Sequence, residues 1–261
     1  MQNYEINYQN WLAEETVDEA TKEELRAICD SEDEKKMRFH GYMAFGTGGL
    51  RSVMGAGTAR MNISTVAHAT EGLARLIHKT EGGAQRGVVV CFDSRNHSAE
   101  FARRAAEVLS ADGIKVYLFA ELRPTPTLSF AVRELGCVAG INITASHNPA
   151  EYNGYKVYWE DGGQLPPDHA ETVAAEIAKV DIFRDVPAPE KANPALITMV
   201  GKELDDVYVK NVLGEAVNPG SIPAVAEDMA IVYTPLHGAG ATMVPRVLRE
   251  AGLKKLYTVE D

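Results

Sequence analysis

The sequence predicts an α/β protein: a three-layer α/β/α domain with a mixed sheet, followed by the start of a second α/β domain. Strand-like and helical apolar patterns alternate three times between Gly87 and Thr144, as expected of strands joined by crossover helices. A further strand pattern begins at Tyr152, too close to the third strand for a crossover. It should pair with that strand as a hairpin and make the sheet mixed. Beyond a stretch holding Pro187, Pro189 and Pro194, the alternation resumes once, between Met229 and Val259.

Residues 1–40 read as an N-terminal helical arm. Trp11 and Leu12 precede an acidic run, and Leu25, Ile28 and Cys29 follow at helical spacing. Packing is the only role this pattern suggests. Residues 41–182 make the first domain. It opens with Phe45-Gly46-Thr47-Gly48-Gly49-Leu50-Arg51-Ser52, then Gly55, Gly57 and Arg60, a glycine density unsuited to helix or strand interiors. Two readings stay open: an anion-binding loop with Arg51 as a forked cation, or a glycine-rich turn between hairpin strands.

Thr65 is placed to cap a helix whose apolar face is Val66, Ala69, Leu73, Leu76 and Ile77, closed by Gly82-Gly83. The first strand of the alternation is Gly87–Phe92. The polar turn Asp93–Ser98 leads into a helix with Phe101, Ala105, Val108 and Leu109 inward. Next come the strand Ile114–Phe119, the turn Arg123–Pro126, a helix over Leu128–Leu135 and the strand Cys137–Thr144. Tyr152–Tyr158 supplies the hairpin partner, Asp161-Gly162-Gly163 turns the chain, and Pro166-Pro167-Asp168 opens a helix with Val173 and Ile177. Residues 183–199 read as a linker, and residues 200–261 as an incomplete second domain. The latter holds a leading helix (Leu204, Val207, Tyr208), a strand (Met229–Thr234), a helix closed by Gly252 and a strand (Leu256–Val259). One βαβ unit buries little core, so a domain of this kind is expected to continue beyond Asp261.

The net charge of −11 and pI near 5.2 give no basic footprint for nucleic acid or an anionic membrane. An anion must be held by a few placed cations and backbone amides. No apolar run approaches the roughly 18 residues of a membrane helix, and the first residues lack the basic and apolar regions of a secretory signal. Cys29, Cys91 and Cys137 read as buried free thiols of a reducing compartment, which makes the cytosol the expected location.

The turn Thr144-Ala145-Ser146-His147-Asn148-Pro149 follows the third strand, where α/β domains carry their chemistry. Asp93-Ser94-Arg95 and Arg123-Pro124 fall at the same sheet edge. Pro149 biases Asn148 away from helical angles, so an ordered turn is expected. Neighbours in an extended segment point apart, so His147 is not expected to take the Ser146 proton. No GxSxG elbow surrounds the serine. Phosphoryl chemistry fits better: an exposed serine can carry a phosphoryl group, which needs cations such as Arg51, Lys156 or a metal ion. Taken singly, these residues read better as a turn serine, a surface histidine and a solvated strand lysine.

Together, Phe45–Arg51, Thr144–Pro149 and Asn153-Gly154-Tyr155-Lys156 resemble the α-D-phosphohexomutase family of phosphoglucomutases and phosphomannomutases. Asp93-Ser94-Arg95, Pro124-Thr125-Pro126 and Tyr233-Thr234-Pro235-Leu236-His237-Gly238 fit in order and spacing. The long first loop, with Met54-Gly55-Ala56-Gly57 and Arg60-Met61-Asn62, is most similar to the phosphoglucomutase-2 and phosphopentomutase branch. The resemblance implies that Ser146 is a phosphoserine that hands its phosphoryl group to a sugar monophosphate through a bisphosphate such as glucose 1,6-bisphosphate. Arg51 corresponds to the arginine beside the phosphoserine, and Lys156 to a lysine assisting proton transfer. Thr47 and Gly48 belong to the phosphate-binding loop, while His147 and Asn148 shape the serine turn. Mg²⁺ is implied, held by a phosphoryl oxygen of Ser146 and by three aspartates of a DxDxDR loop, which are expected beyond Asp261.

Ser52, Ala150 and Ala239 depart from the family pattern without removing a catalytic atom. No DxDxDR loop, no GExSGH-type sugar loop and no RxSGTE-type phosphate loop occurs in the 261 residues. The expectation is an N-terminal mutase portion, inactive by itself, acting on glucose phosphates in the complete enzyme. Phosphopentomutase and phosphomannomutase are alternatives within the class. A non-catalytic sugar-phosphate-binding homologue is the alternative outside it.

Overall fold

The computed structural model describes residues 3–259. The last two residues of the 200–261 segment, read as an incomplete second domain, lie outside the described residues. Three helices come first: α1 (Asn3–Ala13), α2 (Glu19–Ala27) and α3 (Glu32–Phe39). Asp18 and Ser31 cap the latter two by accepting from the amides of Thr21 and Glu34. Tyr8, Trp11, Leu25 and Phe39 form a buried cluster that also takes in Ala56 and Ile182. The arm therefore does more than pack beside the body. Glu24 accepts from the Ala56 amide, the Arg38 carbonyl accepts from the Ala59 amide, and Thr58 Oγ1 donates to the Gly41 carbonyl. It thereby holds the loop around Gly55–Gly57.

β1 (Leu50–Val53) pairs antiparallel with β5 (Tyr152–Trp159), and α4 (Ile63–Lys79) leads through the single turn α5 (Gly83–Arg86) into β2 (Val88–Phe92). Then come α6 (Ser98–Ala111), β3 (Val116–Phe119), α7 (Thr125–Glu134), β4 (Ala139–Ile143), β5 (Tyr152–Trp159) and α8 (Pro167–Ile177). Two 3₁₀ turns at Pro189–Lys191 and Pro194–Leu196 precede β6 (Ile197–Val200). The six strands lie in the order β1-β5-β4-β2-β3-β6. β4, β2, β3 and β6 are parallel, and β5 is antiparallel to both its neighbours. The sheet is mixed, as the hairpin reading required.

Successive side chains of β2 serve opposite faces. Val88 and Val90 join Leu73, Ile77, Leu109 and Val173 on the side of α4, α6 and α8. Val89 and Cys91 join Leu128, Val132 and Leu204 on the side of α7. Both faces are covered, so the strand is continuously apolar rather than alternating. The chain leaves β2 toward β3 over one face and returns from β3 to β4 over the other. The switch point thus lies between the carboxyl ends of β2 and β4, where α/β sheets open a crevice.

Residues 50–53, read as loop, are the edge strand β1. Four residues between glycine pairs carry no strand pattern, and backbone pairing with β5 decides their conformation. Gly49 makes the approach possible. At φ +75°, a Cβ there would lie 1.9 Å from the Tyr155 carbonyl oxygen. Residues 197–200, expected outside the sheet, pair with β3. Asn62, not Thr65, is the N-cap of α4; Thr65 is the reciprocal partner in a capping box. That helix closes at Thr80, and Gly83 already belongs to α5. α7 begins at Thr125, three residues before its apolar face, because Pro124 is extended and Pro126 suits a first helical turn. Cys29 is exposed, contrary to expectation, while Cys91 and Cys137 are buried. Burial pushes both buried thiols up to about 12.

The remaining elements are α9 (Lys202–Gly214), α10 (Ser221–Val225), β7 (Ala230–Tyr233), α11 (Met243–Glu250) and β8 (Lys255–Thr258), with β7 and β8 parallel. α9 fastens them to the first sheet. Its Leu204 enters the α7-side core, and Tyr208 meets Phe130 edge-on at 5.4 Å. Asp205 forms a forked ion pair with Arg123 at 2.7–3.2 Å, both side chains 5% exposed. Among the described residues, no helix is long and apolar enough to cross a membrane.

Candidate active site

Ser146 sits just beyond β4 at φ +58°, in the left-handed region. A local turn produces that angle: the Ser146 amide donates to Thr144 Oγ1 at 3.0 Å, and the Asn148 amide to the Ala145 carbonyl at 3.2 Å. The turn also changes one expectation. With Ser146 left-handed rather than extended, its Oγ lies 3.4 Å from His147 Nδ1. That is a long contact, at the outer limit of hydrogen bonding.

Ser146, His147 and Asn148 line a cavity of about 800 Å³ together with Asp93, Ser94, Arg95, Arg123, Thr125 and His237. Loops after β2, β3, β4 and β7 thus converge where the sheet switches direction. The β7 loop is tied in directly: Ser94 Oγ donates to the His237 carbonyl at 2.7 Å.

Arg51 comes to the serine turn from the edge of the sheet, its Nη1 donating to Asn148 Oδ1 at 3.0 Å. It is exposed, and a guanidinium carries five N–H donors, so most remain for an anion. Thr47 and Gly48 form the exposed tip of a tight turn closed by the Gly49 amide on the Gly46 carbonyl at 2.8 Å. Lys156 lies on β5, two residues beyond Gly154, which pairs with Arg51, and directly opposite Asn142. Neither Arg51, Lys156, Thr47 nor Gly48 lines the cavity. The turn, Arg51 and Asn148 are brought together; the glycine turn and Lys156 flank them.

Three supporting groups are given no role by the sequence, although Arg95 and Asn153 stand in motifs that carry the family resemblance. Arg95 reaches into the serine turn and donates to its carbonyls. Asn153 is wholly buried and ties β5 to Asn96 and Ser98 at 3.0 Å. Arg123 is neutralised by Asp205, which holds its guanidinium firmly protonated.

The residues present do not complete a Mg²⁺ site. Among the described residues no three His, Cys, Asp or Glu side chains converge. Asp93, the carboxylate lining the cavity, accepts from Ser98 Oγ and the Arg95 amide at 2.9 and 3.0 Å. Ser146, through a phosphoryl oxygen, is the one ligand that the family resemblance implies among the described residues.

Residues 42–183 match the model of phosphoglucomutase/phosphomannomutase, α/β/α domain I. The chain belongs to the phosphoglucomutase/phosphomannomutase family. It is 38% identical over 240 residues to a probable phosphoribomutase of Schizosaccharomyces pombe, covering 90% of this chain and 40% of that protein. It is also 38% identical over 252 residues to a phosphoglucomutase of Staphylococcus epidermidis, covering 96% and 44%. A crystal structure ascribed to a phosphomannomutase from Thermus thermophilus superposes with a TM-score of 0.65 at 29% identity, over 83% of this chain and 45% of the other. The chain thus spans less than half the length of these relatives.

Proposed function

We propose that this chain is the serine-bearing part of a cytoplasmic phosphosugar mutase that interconverts the 1- and 6-phosphates of a hexose, glucose foremost. The observation that carries the reading is Ser146 itself. Its hydroxyl is presented by a left-handed turn at the mouth of a cavity at the switch point, with the Arg51 guanidinium fastened to the same turn. In the forward step a sugar hydroxyl attacks the phosphorus of phospho-Ser146. The new O–P bond forms as the serine Oγ–P bond breaks, and the hydroxyl proton ends on Oγ. Arg51 offsets charge on the transferring group, and Lys156 is the group assigned to proton movement. The bisphosphate then returns its other phosphoryl group to Oγ by the reverse step. Mg²⁺ bound beside phospho-Ser146 would supply further charge neutralisation.

The test is to incubate the chain and its S146A variant with glucose 1,6-bisphosphate, with and without Mg²⁺, and to map phosphate by intact and peptide mass. One phosphoryl group on the Ser146 peptide, and none on the variant, is expected. Phosphate on another residue, or on none, counts against the assignment. A single transfer read at stoichiometry tolerates a slow step, whereas turnover does not. Steady interconversion of glucose 1- and 6-phosphate by the chain alone is therefore not expected, and observing it would refute the view that turnover needs further residues.

The phosphoribomutase relative at 38% identity favours a second reading, pentose 1- and 5-phosphates as substrates. Faster labelling of Ser146 by ribose 1,5-bisphosphate than by the glucose compound would select it.

A further inference from the structure

We infer that Arg95 is a positioning residue for the phosphoryl-carrying serine: a guanidinium clamp that fixes the backbone of the Ser146 turn and does not bind substrate phosphate. Placed at the sheet edge and lining the cavity, Arg95 has the look of an anion ligand. Its donors are already engaged. Nη1 donates to the carbonyls of Pro149 at 2.9 Å and Tyr152 at 3.0 Å, and Nη2 to those of Ser146 at 2.9 Å and Asn148 at 2.6 Å. Nε faces Asp93 Oδ2 at 3.6 Å. With five N–H groups in all, four held by carbonyls and the fifth turned to a carboxylate, none remains for a ligand.

The four carbonyls belong to one turn, 146–152. Arg95 joins its beginning to its end across more than fifty residues of sequence. A turn that carries a non-glycine residue at positive φ persists only where its surroundings over-determine it. The clamp supplies that constraint at the carbonyl of Ser146 itself.

The clamp is braced in turn. Asp93 accepts from the Arg95 amide at 3.0 Å and from Ser98 Oγ at 2.9 Å. Ser98 Oγ accepts from Asn153 Nδ2 at 3.0 Å, and Asn153 Oδ1 accepts from the Gly154 amide at 2.8 Å. Arg95 and Asn153 therefore reference the start of β5 and the whole serine turn to one loop, 93–98. A lysine offers a point charge without the planar fork, so it cannot hold two pairs of carbonyls at once.

The experiment compares wild type, R95A and R95K by two readouts. The first is amide exchange at Ser146, Asn148 and Tyr152, whose hydrogens are bonded within the turn, against sheet amides such as Ile141 and Val157. The second is the rate of Ser146 phosphorylation by glucose 1,6-bisphosphate, which rests on the functional reading above. In both variants the turn amides should exchange about tenfold faster or more while the sheet amides hold. Phosphorylation at saturating donor should fall by about 100-fold with the half-saturating concentration unchanged. Free guanidinium ion, at sub-denaturing concentration, should restore R95A but not R95K. Retained protection and rate in R95K would overturn the clamp, as would protection lost throughout the sheet. If wild type takes up no phosphate while the turn amides respond as stated, the clamp stands and the functional reading fails.

Discussion

Ser146 carries its hydroxyl on a backbone that L-residues avoid, and the left-handed angle costs it about 1 kcal/mol relative to glycine. The hydrogen bond from its amide to Thr144 Oγ1 and the Arg95 contact at its carbonyl offset that cost. Replacing the side chain by hydrogen should therefore stabilise the fold. We expect S146G to exceed S146A in unfolding free energy by about 1 kcal/mol, a rise of roughly 2–4 °C in melting temperature. Equal stabilities in calorimetry would mean that φ at this position relaxes without its side chain. The same residue shows where a sequence argument goes astray. Adjacent residues point apart only in an extended segment, and the turn at Ser146 is not extended.

Elements meet through charges as well as apolar faces. Glu71, buried on α4, pairs with Arg75 through Oε1, while its Oε2 has no hydrogen-bond partner. Asp112, capping the carboxyl end of α6, lies beside it. Burial and the Glu71 carboxylate raise the Asp112 carboxyl to about 7, with Arg75 opposing. The protonated Asp112 can then donate to the Glu71 oxygen that otherwise lacks a partner. Because the folded pKa is raised, the folded state holds a proton that the unfolded chain releases near pH 4. The stability this contributes is fully present below about pH 4 and is lost as pH rises through about 7. Asp112→Asn keeps a donor toward Glu71 at every pH. Urea midpoints of the variant should vary less than those of wild type between pH 4 and 7. At pH 8 the variant should be the more stable, by on the order of 1 kcal/mol. An unchanged pH dependence would show that the two carboxyl groups do not share a proton.

At the scale of the whole molecule, residues 202–259 are joined to the first sheet through α9. The buried pair Arg123–Asp205 fixes that junction, with Leu204 in the α7-side core and Tyr208 against Phe130. Removing Asp205 leaves the buried Arg123 guanidinium with only the exposed Glu121 as counter-charge, at 3.3 Å, at a cost of about 3 kcal/mol. Asp205→Ala should lower stability by that order and speed proteolysis within 202–259 before the first sheet is cut. Simultaneous cleavage of both regions would instead show that they unfold as one unit. Arg123 also lines the Ser146 cavity, so the pair holds one wall of the site.

The alternation of apolar runs determined the strands β2 to β5, their crossovers and the hairpin, because period and spacing are local properties of the chain. The same alternation put Ser146, Arg95 and Arg123 at one sheet edge, since parallel strands deliver their following loops to one end. Tertiary structure alone decided what those side chains do. β1 and β6 exist through pairing with strands far from them in sequence, Leu50 with Tyr155 and Ile197 with Val116, so neither shows a pattern of its own. Arg95 looks in sequence like any cation at a strand end; it becomes a clamp because the order β4-β2 sets its fork under the carbonyls of 146–152. Which loop a side chain can reach depends on which strands are neighbours, and that is fixed only when the sheet closes its hydrogen bonds.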